Sequence, residues 1–525
     1  MKLVTSMAFK FTANVPARRA TATVESIPIC IKKTRARDNL LKTLISVIAV
    51  AVLVSFTWFV LHNHSNLAQS IKKLLIKFDE LPLFIFMYWF FYLTLAVLGW
   101  RIWMSIKYRP APLCPTTQLP SLTIVTPAYN EGQQVYEAIC SVAASDYPMD
   151  LLHIVAVNDG SKDDTWHWMQ QAGRDLANCG ATIDLVNMPR NYGKRRAMYE
   201  GFVRAKGDIL VTIDSDSEVE KHTLKHIASS FLHDPQCGGV AGNVRVLNMG
   251  DGLLPRMLDV SFASSFDFIR AGQDKIHTVL CTPGALSAYR KDAVMPVLNE
   301  WLVQKFMGRP SHIGEDRALT NLLIRNGYHI NYQCNAIVYT KVPTTYSSLC
   351  RMLIRWTRSN VRENLMMLPF IFKNFRKGSK FGARLNVLMA FYEMTWCEAV
   401  KLLTFGYILA DPLFVVPNLI TAACIASILP ITVYFLRYRS FNCVWAFPYN
   451  LLWIFCLSWI GPFCILTMHR SGWMTRGLNE TPDATEGLTA AQLGDLVYTK
   501  SLAGSKILAT SSIVTPITDV VADAA

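Results

Sequence analysis

The amino-acid sequence predicts an α/β domain with a largely parallel sheet, inserted between membrane-spanning helices. Long, nearly charge-free apolar runs stand towards both ends of the chain, at Thr43–Leu61 and Leu81–Trp100 and again between Leu385 and Thr467. Between them, short β-branched runs alternate with helix-like stretches. A polar or charged cluster closes each of the early β-branched runs.

The apolar runs set the frame. A hydrocarbon core about 30 Å thick needs about 20 apolar residues in helix, and both N-terminal runs meet that length. Segment 1–42 ahead of them is basic and polar, with Arg18, Arg19, Lys32, Lys33, Arg35 and Arg37. By the positive-inside tendency this puts the N-terminus in the cytoplasm, and two spans within 43–109 return the chain there at Arg101, Lys107 and Arg109. A cleaved signal peptide is not expected, because no small-residue cleavage pattern follows the first run. The block 385–470 is expected to hold three spans, near 386–409, 413–436 and 444–467. Glu393, Glu398 and Lys401 make the first of these unusually polar, which suits an interfacial position or the lining of a polar path. Segment 471–525, rich in Ala, Thr, Ser and Gly, is expected to be mobile.

A formal charge of +14 raises the question of nucleic acid. The basic residues are scattered along membrane flanks and around one segment, so the bilayer surface and an anionic small ligand are the expected partners, and nucleic acid is not. The 13 cysteines form no CxxC pair and no metal-ligand spacing, and several lie in apolar runs, which predicts free thiols in a reducing compartment.

Within the segment 110–345, strands are predicted at Leu122–Pro127, His153–Asp159, Ile183–Met188 and Asp208–Asp214, with helices at Glu131–Ser145 and Lys194–Ala205 between them. Alternation at this spacing predicts a sheet with helices on both faces, and such sheets bind ligands beyond the carboxyl ends of their strands. There stand Pro127-Ala-Tyr-Asn-Glu131, Asn158-Asp-Gly-Ser161, Arg190-Asn-Tyr-Gly-Lys-Arg195 and Asp214-Ser-Asp216. All four are expected to converge on one crevice.

Asp214 and Asp216 are two apart on an extended chain and so share a face, which suits a divalent cation with oxygen ligands, Mg²⁺ or Mn²⁺, that neutralises a diphosphate. A lone DxD also fits an ordinary surface turn. Asp159 suits a hydrogen bond to a base or ribose, or a turn or helix cap. Lys194, Arg195 and Arg196 open a helix, as a phosphate contact or as a solvated face. Gly314-Glu-Asp-Arg317 offers Asp316 as a base, or simply acidic residues favouring a helix N-terminus. In segment 346–384, Arg351-Met-Leu-Ile-Arg-Trp-Thr-Arg358 joins guanidinium groups to an indole, suited to a diphosphate and a sugar ring, or to an interfacial helix.

In this order the motifs resemble processive family 2 glycosyltransferases of the GT-A (Rossmann-like) fold, with hyaluronan synthases and nodulation-type chitin oligosaccharide synthases the nearest in kind. The resembling stretches are Gly193-Lys-Arg-Arg-Ala-Met-Tyr199, Cys281-Thr-Pro-Gly-Ala-Leu-Ser-Ala-Tyr-Arg290, Gln304-Lys-Phe-Met-Gly308 and Gly314-Glu-Asp-Arg-Ala-Leu-Thr320. The resemblance implies an inverting, membrane-bound enzyme of the plasma (inner) membrane with a cytoplasmic catalytic domain. It would polymerise UDP-sugars, UDP-N-acetylglucosamine or UDP-glucuronic acid, into a β-linked polysaccharide. Carried over, Asp159 contacts uridine, with Ala128, Tyr129, Glu131, Lys194, Arg195, Asp214 and Arg355 also on the donor side. Asp214 and Asp216 hold the metal, and Asp316, with Glu315 beside it, is catalytic. Trp356, Gly284, Tyr289 and Arg290 serve the acceptor. Two positions depart from the pattern: Met352 replaces the Gln of a QxxRW motif, and Met474 replaces the Gly of a WGTR segment at Trp473–Arg476. Single-sugar transfer to a lipid, or a transporter with a regulatory domain, are the competing functions.

Overall fold

In a computed structural model, residues 39–52, 54–55, 81–177, 181–470 and 472 are described. The basic start of the chain, the end of the first expected span at 56–61, Trp473–Arg476 and the tail lie outside the described residues.

The centre is an eight-stranded sheet. Its strands in chain order are β1 (Leu122–Ala128), β2 (Leu152–Asn158), β3 (Thr182–Asn187), β4 (Ile209–Thr212), β5 (Ser217–Val219), β6 (Cys237–Val246), β7 (Ser287–Arg290) and, after a small hairpin of β8 (Lys305–Phe306) and β9 (Arg309–Pro310), β10 (His329–Thr340). In space they run β3-β2-β1-β4-β7-β6-β10-β5. β1 and β2 are buried along their whole length, as continuous apolar strands covered on both faces must be. Alternation sends Ile124, Ile154 and Val211 into one core, and Val125, Val155 and Leu210 into the other. The four predicted strands stand within a residue or two of their expected positions at most ends.

The sheet is mixed. β3, β2, β1 and β4 are parallel, as are β6 and β10, but β7 runs antiparallel to both β4 and β6, and β5 antiparallel to β10. Because β7 opposes both β4 and β6, six of the eight strands share one direction and the sheet is largely parallel as expected, while β7 and β5 run against it, which the period-2 pattern of a strand does not reveal.

Among the described residues, two helices are long and apolar enough to cross a membrane, Trp89–Lys107 and Val415–Tyr438, and a bent pair, Phe441–Leu457 with Ile460–Leu466, adds a third if it acts as one span. Asn39–Val52 is apolar but shorter. Exposed Trp89, Phe91, Leu409 and Leu413 leave apolar surface of the kind that lipid covers. The first expected C-terminal span is the interrupted helix Phe381–Tyr392, Glu393–Cys397, Glu398–Ala410, whose middle stretch is a π turn. Its charges are paired: Glu393 with Arg101 at 2.6 Å and Glu398 with Lys401 at 2.6 Å. Those charges keep it from counting as an apolar span.

Candidate active site

Two cavities meet at the carboxyl ends of β1, β2 and β4. The smaller, about 230 Å³, is lined by Ala128, Tyr129, Glu131, Asp159, Gly193 and Asn191 among others. The larger, about 520 Å³, takes in Asp316, Trp356, Gly284 and Cys281, and runs on to Arg101, Glu393 and Glu398 of the flanking helices. Lys194, Asp214, Asp216, Lys341, Met352 and Arg355 line both.

Local chemistry explains the junction. β4 ends at Thr212, and the turn after it presents Asp214 and Asp216. Ser215 between them donates to Glu131 Oε1 at 3.1 Å, and Thr340 at the end of β10 donates to Asp216 Oδ1 at 3.3 Å. Lys194 Nζ lies 2.5 Å from Asp214 Oδ1 and 3.1 Å from Glu315 Oε1. Burial disfavours the ammonium, but these carboxylates outweigh it and keep Lys194 charged. Gly284 closes over the pair: a Cβ there would stand 2.6 Å from Lys194 Nζ and 3.3 Å from an Asp214 oxygen.

Asp159 accepts the backbone N–H groups of Tyr192 at 2.7 Å and Gly193 at 2.9 Å. It thereby clamps the start of helix Lys194–Val203, and burial pushes its carboxyl up to about 7 against the pull of both donors. Gly193, at φ 90°, makes that entry possible without strain.

Helix Glu315–Arg325 begins at Gly314, whose φ of 76° and closeness to Ser359, which a Cβ would overlap, leave no room for a side chain. The first turn carries two carboxylates with opposite fates. Burial acts to raise Glu315, but the charges of Lys194 and Arg355 hold it below the usual range. Asp316 is pushed up, by burial and then by the Glu315 carboxylate beside it. Paired carboxyls driven apart in this way are a recurrent arrangement for proton transfer. On helix Tyr346–Ile371, Trp356 is half-buried between Phe262 and Phe266, each ring 5.9 Å away, and still lines the larger cavity.

Three expected site residues do not reach the crevice. Arg195 follows Lys194 but turns into the core, where its guanidinium donates to the Trp301 carbonyl at 2.8 Å and to Gln304 at 3.0 Å. Adjacent helical positions point about 100° apart, so both cannot face one cavity. Tyr289 is fully buried, its hydroxyl 2.8 Å from Thr282. Arg290 pairs with Ile209 at the start of β4 and donates to the Cys237 and Phe231 carbonyls, on the opposite rim. The antiparallel course of β7 carries both away from the strand ends. Conversely, Lys341 and Thr340 reach the junction unannounced by any motif. Only the position of β10, next to β6 and β5, brings them there.

The model of the family described as "Glycosyltransferase like family 2" matches residues 120–359. An N-acetylglucosaminyltransferase of Rhizobium meliloti (strain 1021) is 32% identical over 259 residues, 49% of this chain and 59% of that protein. A hyaluronan synthase of Streptococcus pyogenes is 30% identical over 278 residues, 52% of this chain and 64% of its own length. The alignments thus span about three fifths of these two curated relatives. A mannosyltransferase from Pyrobaculum calidifontis, solved in complex with GDP-Man and Mn²⁺, aligns over 69% of this chain and 97% of that one, with a TM-score of 0.49 and 20% identity. The α/β domain with its mixed sheet is therefore similar to glycosyltransferases of family 2. The match over residues 120–359 agrees with the resemblance that the motif order carries.

Proposed function

We propose that the protein is a membrane-bound inverting glycosyltransferase that builds a β-linked polysaccharide from UDP-sugars, N-acetylglucosamine or glucuronic acid being the sugars favoured by the names of its relatives. The observation that carries this reading is the union of two cavities across one set of carboxylates. The smaller takes the nucleotide beside Asp159, and the larger takes the acceptor beside Asp316 and Trp356.

Asp214 and Asp216 supply hard oxygen ligands suited to Mg²⁺ or Mn²⁺, and both border the space shared by the two cavities. When bound, such an ion neutralises charge on the departing diphosphate. Lys194 and Arg355 add positive charge from the chain itself on the same side. Asp316 accepts the proton of the acceptor hydroxyl as that oxygen bonds to the anomeric carbon, while the bond from that carbon to the diphosphate oxygen breaks and UDP leaves. Its raised affinity for protons makes it a stronger base than an ordinary carboxylate, and Glu315 stays ionised to hold Lys194. Trp356 offers a face for the sugar, and Met352, where a Gln is expected, gives the diphosphate one polar contact fewer.

The larger cavity runs from Asp316 past Trp356 to Arg101, Glu393, Glu398 and Gly461, a polar lining along the flanking helices that favours a growing chain over a single transferred sugar. The catalytic domain would then face the cytoplasm of a multi-pass protein in the plasma membrane. Membranes incubated with single and paired UDP-sugars and Mn²⁺ or Mg²⁺, followed by sizing of the product, test this. A polymer is expected. A one-sugar glycolipid as sole product would replace the polymerase with a lipid glycosyltransferase, and no transfer with any donor would favour a transporter.

A further inference from the structure

At the opposite rim of the sheet, Asp234, His277 and His329 bring one carboxylate oxygen and two imidazole nitrogens within 4.8 Å of one another. They come from three separate segments: the end of helix Thr223–His233, the loop after helix Ile269–Asp274, and the first residue of β10. His329 Nδ1 lies 2.9 Å from Asp234 Oδ2, and His277 Nδ1 lies 3.9 Å from that same oxygen. Ligands around a tetrahedral ion with bonds of about 2.0–2.2 Å stand about 3.3 Å apart, and these two separations bracket that value.

His329 is held by its hydrogen bond to the carboxylate, whereas His277 at 3.9 Å is beyond bonding reach of that oxygen and its Nδ1 makes a longer contact, 3.4 Å, with Asn331 Oδ1. Yet its ring stacks on His329, centroids 4.5 Å apart and planes at 17°, so that both nitrogens face one oxygen. Its backbone is held for that purpose in a left-handed conformation, φ 51°, with the carbonyl accepting from Arg376 and from the Ile330 N–H. The carboxylate is braced as metal-binding carboxylates are: Oδ1 accepts the Gln236 N–H at 3.0 Å, and Asn331 donates to Oδ2 at 3.0 Å. Burial opposes it, but the donors from His329 and Asn331 hold Asp234 down to about 2.

We propose that these three residues form a second metal site, for a zinc-class divalent ion, which staples the start of β10 to the neighbouring loop and helix end. Two imidazoles and one carboxylate suit Zn²⁺ over Mg²⁺. Half-exposed His277 leaves the fourth position open to water. Thr340, at the far end of β10, meets Asp216, so the staple stands roughly 30 Å from the crevice, counted at about 3.3 Å per residue along the paired stretch of β6 from Cys237 to Val246. The loop it anchors leads directly into Leu280, Cys281 and Gly284 of the crevice wall.

Full-length protein in detergent, purified without a polyhistidine tag and stripped with EDTA, is titrated with Zn²⁺ alone, and its metal content and thermal midpoint are read. One equivalent that survives gel filtration in excess Mg²⁺ is expected, with a raised midpoint. His329→Ala and His277→Gln should both lose the ion and the shift, and exposed His277→Gln should match the stripped wild type in EDTA. Asn331→Ala should weaken binding roughly 10–100-fold, as loss of an outer-shell partner does. Asp216→Asn should keep the ion. Absence of stoichiometric zinc in the wild type, or equal zinc in the wild type and His277→Gln, an exposed substitution that leaves the core intact, overturns the proposal. Loss of zinc in Asp216→Asn overturns it too, by moving the ion to the crevice.

Discussion

The two rims of the central sheet both carry charged side chains and use them differently. At the carboxyl ends of β1, β2 and β4, Lys194 pairs with Asp214 and Glu315, Asp316 stands beside them, and all four still border open space. On the opposite rim Arg290 spends its donors on the carbonyls of Cys237 and Phe231, and in the interior Arg195 does so on Trp301 and Gln304. A buried cation is therefore no guide to a site by itself. What separates the two is whether its partners are ionised side chains facing a cavity or neutral groups of the core, since only the former can exchange one partner for a ligand.

The sharpest way to break this contrast is to remove charge at the crevice without changing shape. Asp216→Asn keeps the side-chain volume and should abolish transfer in a protein that remains folded. Near-normal turnover with Mn²⁺ or Mg²⁺, measured by UDP release, would take the metal away from these carboxylates. Asp316→Asn comes next, with turnover expected to fall by about 10²–10⁴-fold at little change in donor affinity. A matching loss of UDP-sugar affinity would make Asp316 a donor ligand instead. In the unmodified protein, the same assignment sets the acid limb of the rate profile. A base must be deprotonated, and Asp316 is pushed up, so activity should fall as the pH drops through a value above the ordinary carboxylate range. A limb at the ordinary range would argue for another base.

A smaller effect is expected at Trp356. An indole face on a sugar contributes about 1 kcal/mol, so Trp356→Ala should shorten the product while UDP-sugar still binds. Product of unchanged length would remove the stacking role. Met352→Gln should preserve or raise turnover, and a fall would mean that the thioether is needed for packing at the junction. The smallest effect tests the core side of the contrast. Tyr289→Phe removes one buried hydroxyl contact and should cost about 1 kcal/mol in thermal or denaturant unfolding, with kcat/KM unchanged. A tenfold loss of activity at unaltered stability would return Tyr289 to the acceptor site.

Much of this was open to the sequence alone. Apolar runs of bilayer length, β-branched runs of strand length and the polar clusters that end them are local patterns, and local backbone periodicity is enough to place them. Hence the first four strands, the helices at Lys194 and Glu315, and the meeting of Ala128, Asp159, Lys194 and Asp214 in one crevice were all legible. The direction of β5 and β7 was not, because a strand has the same alternation whichever way it runs. With it went the true places of Tyr289 and Arg290. Arg195 was lost for a related reason: a basic cluster is a property of sequence, but which member turns inward depends on Trp301, more than 100 positions away. Lys341, and the meeting of Asp234 with His329 across 95 positions, depend on β10 lying beside β6. Such contacts are chosen by the packing of the whole sheet, where burying both cores at once decides which distant segments become neighbours.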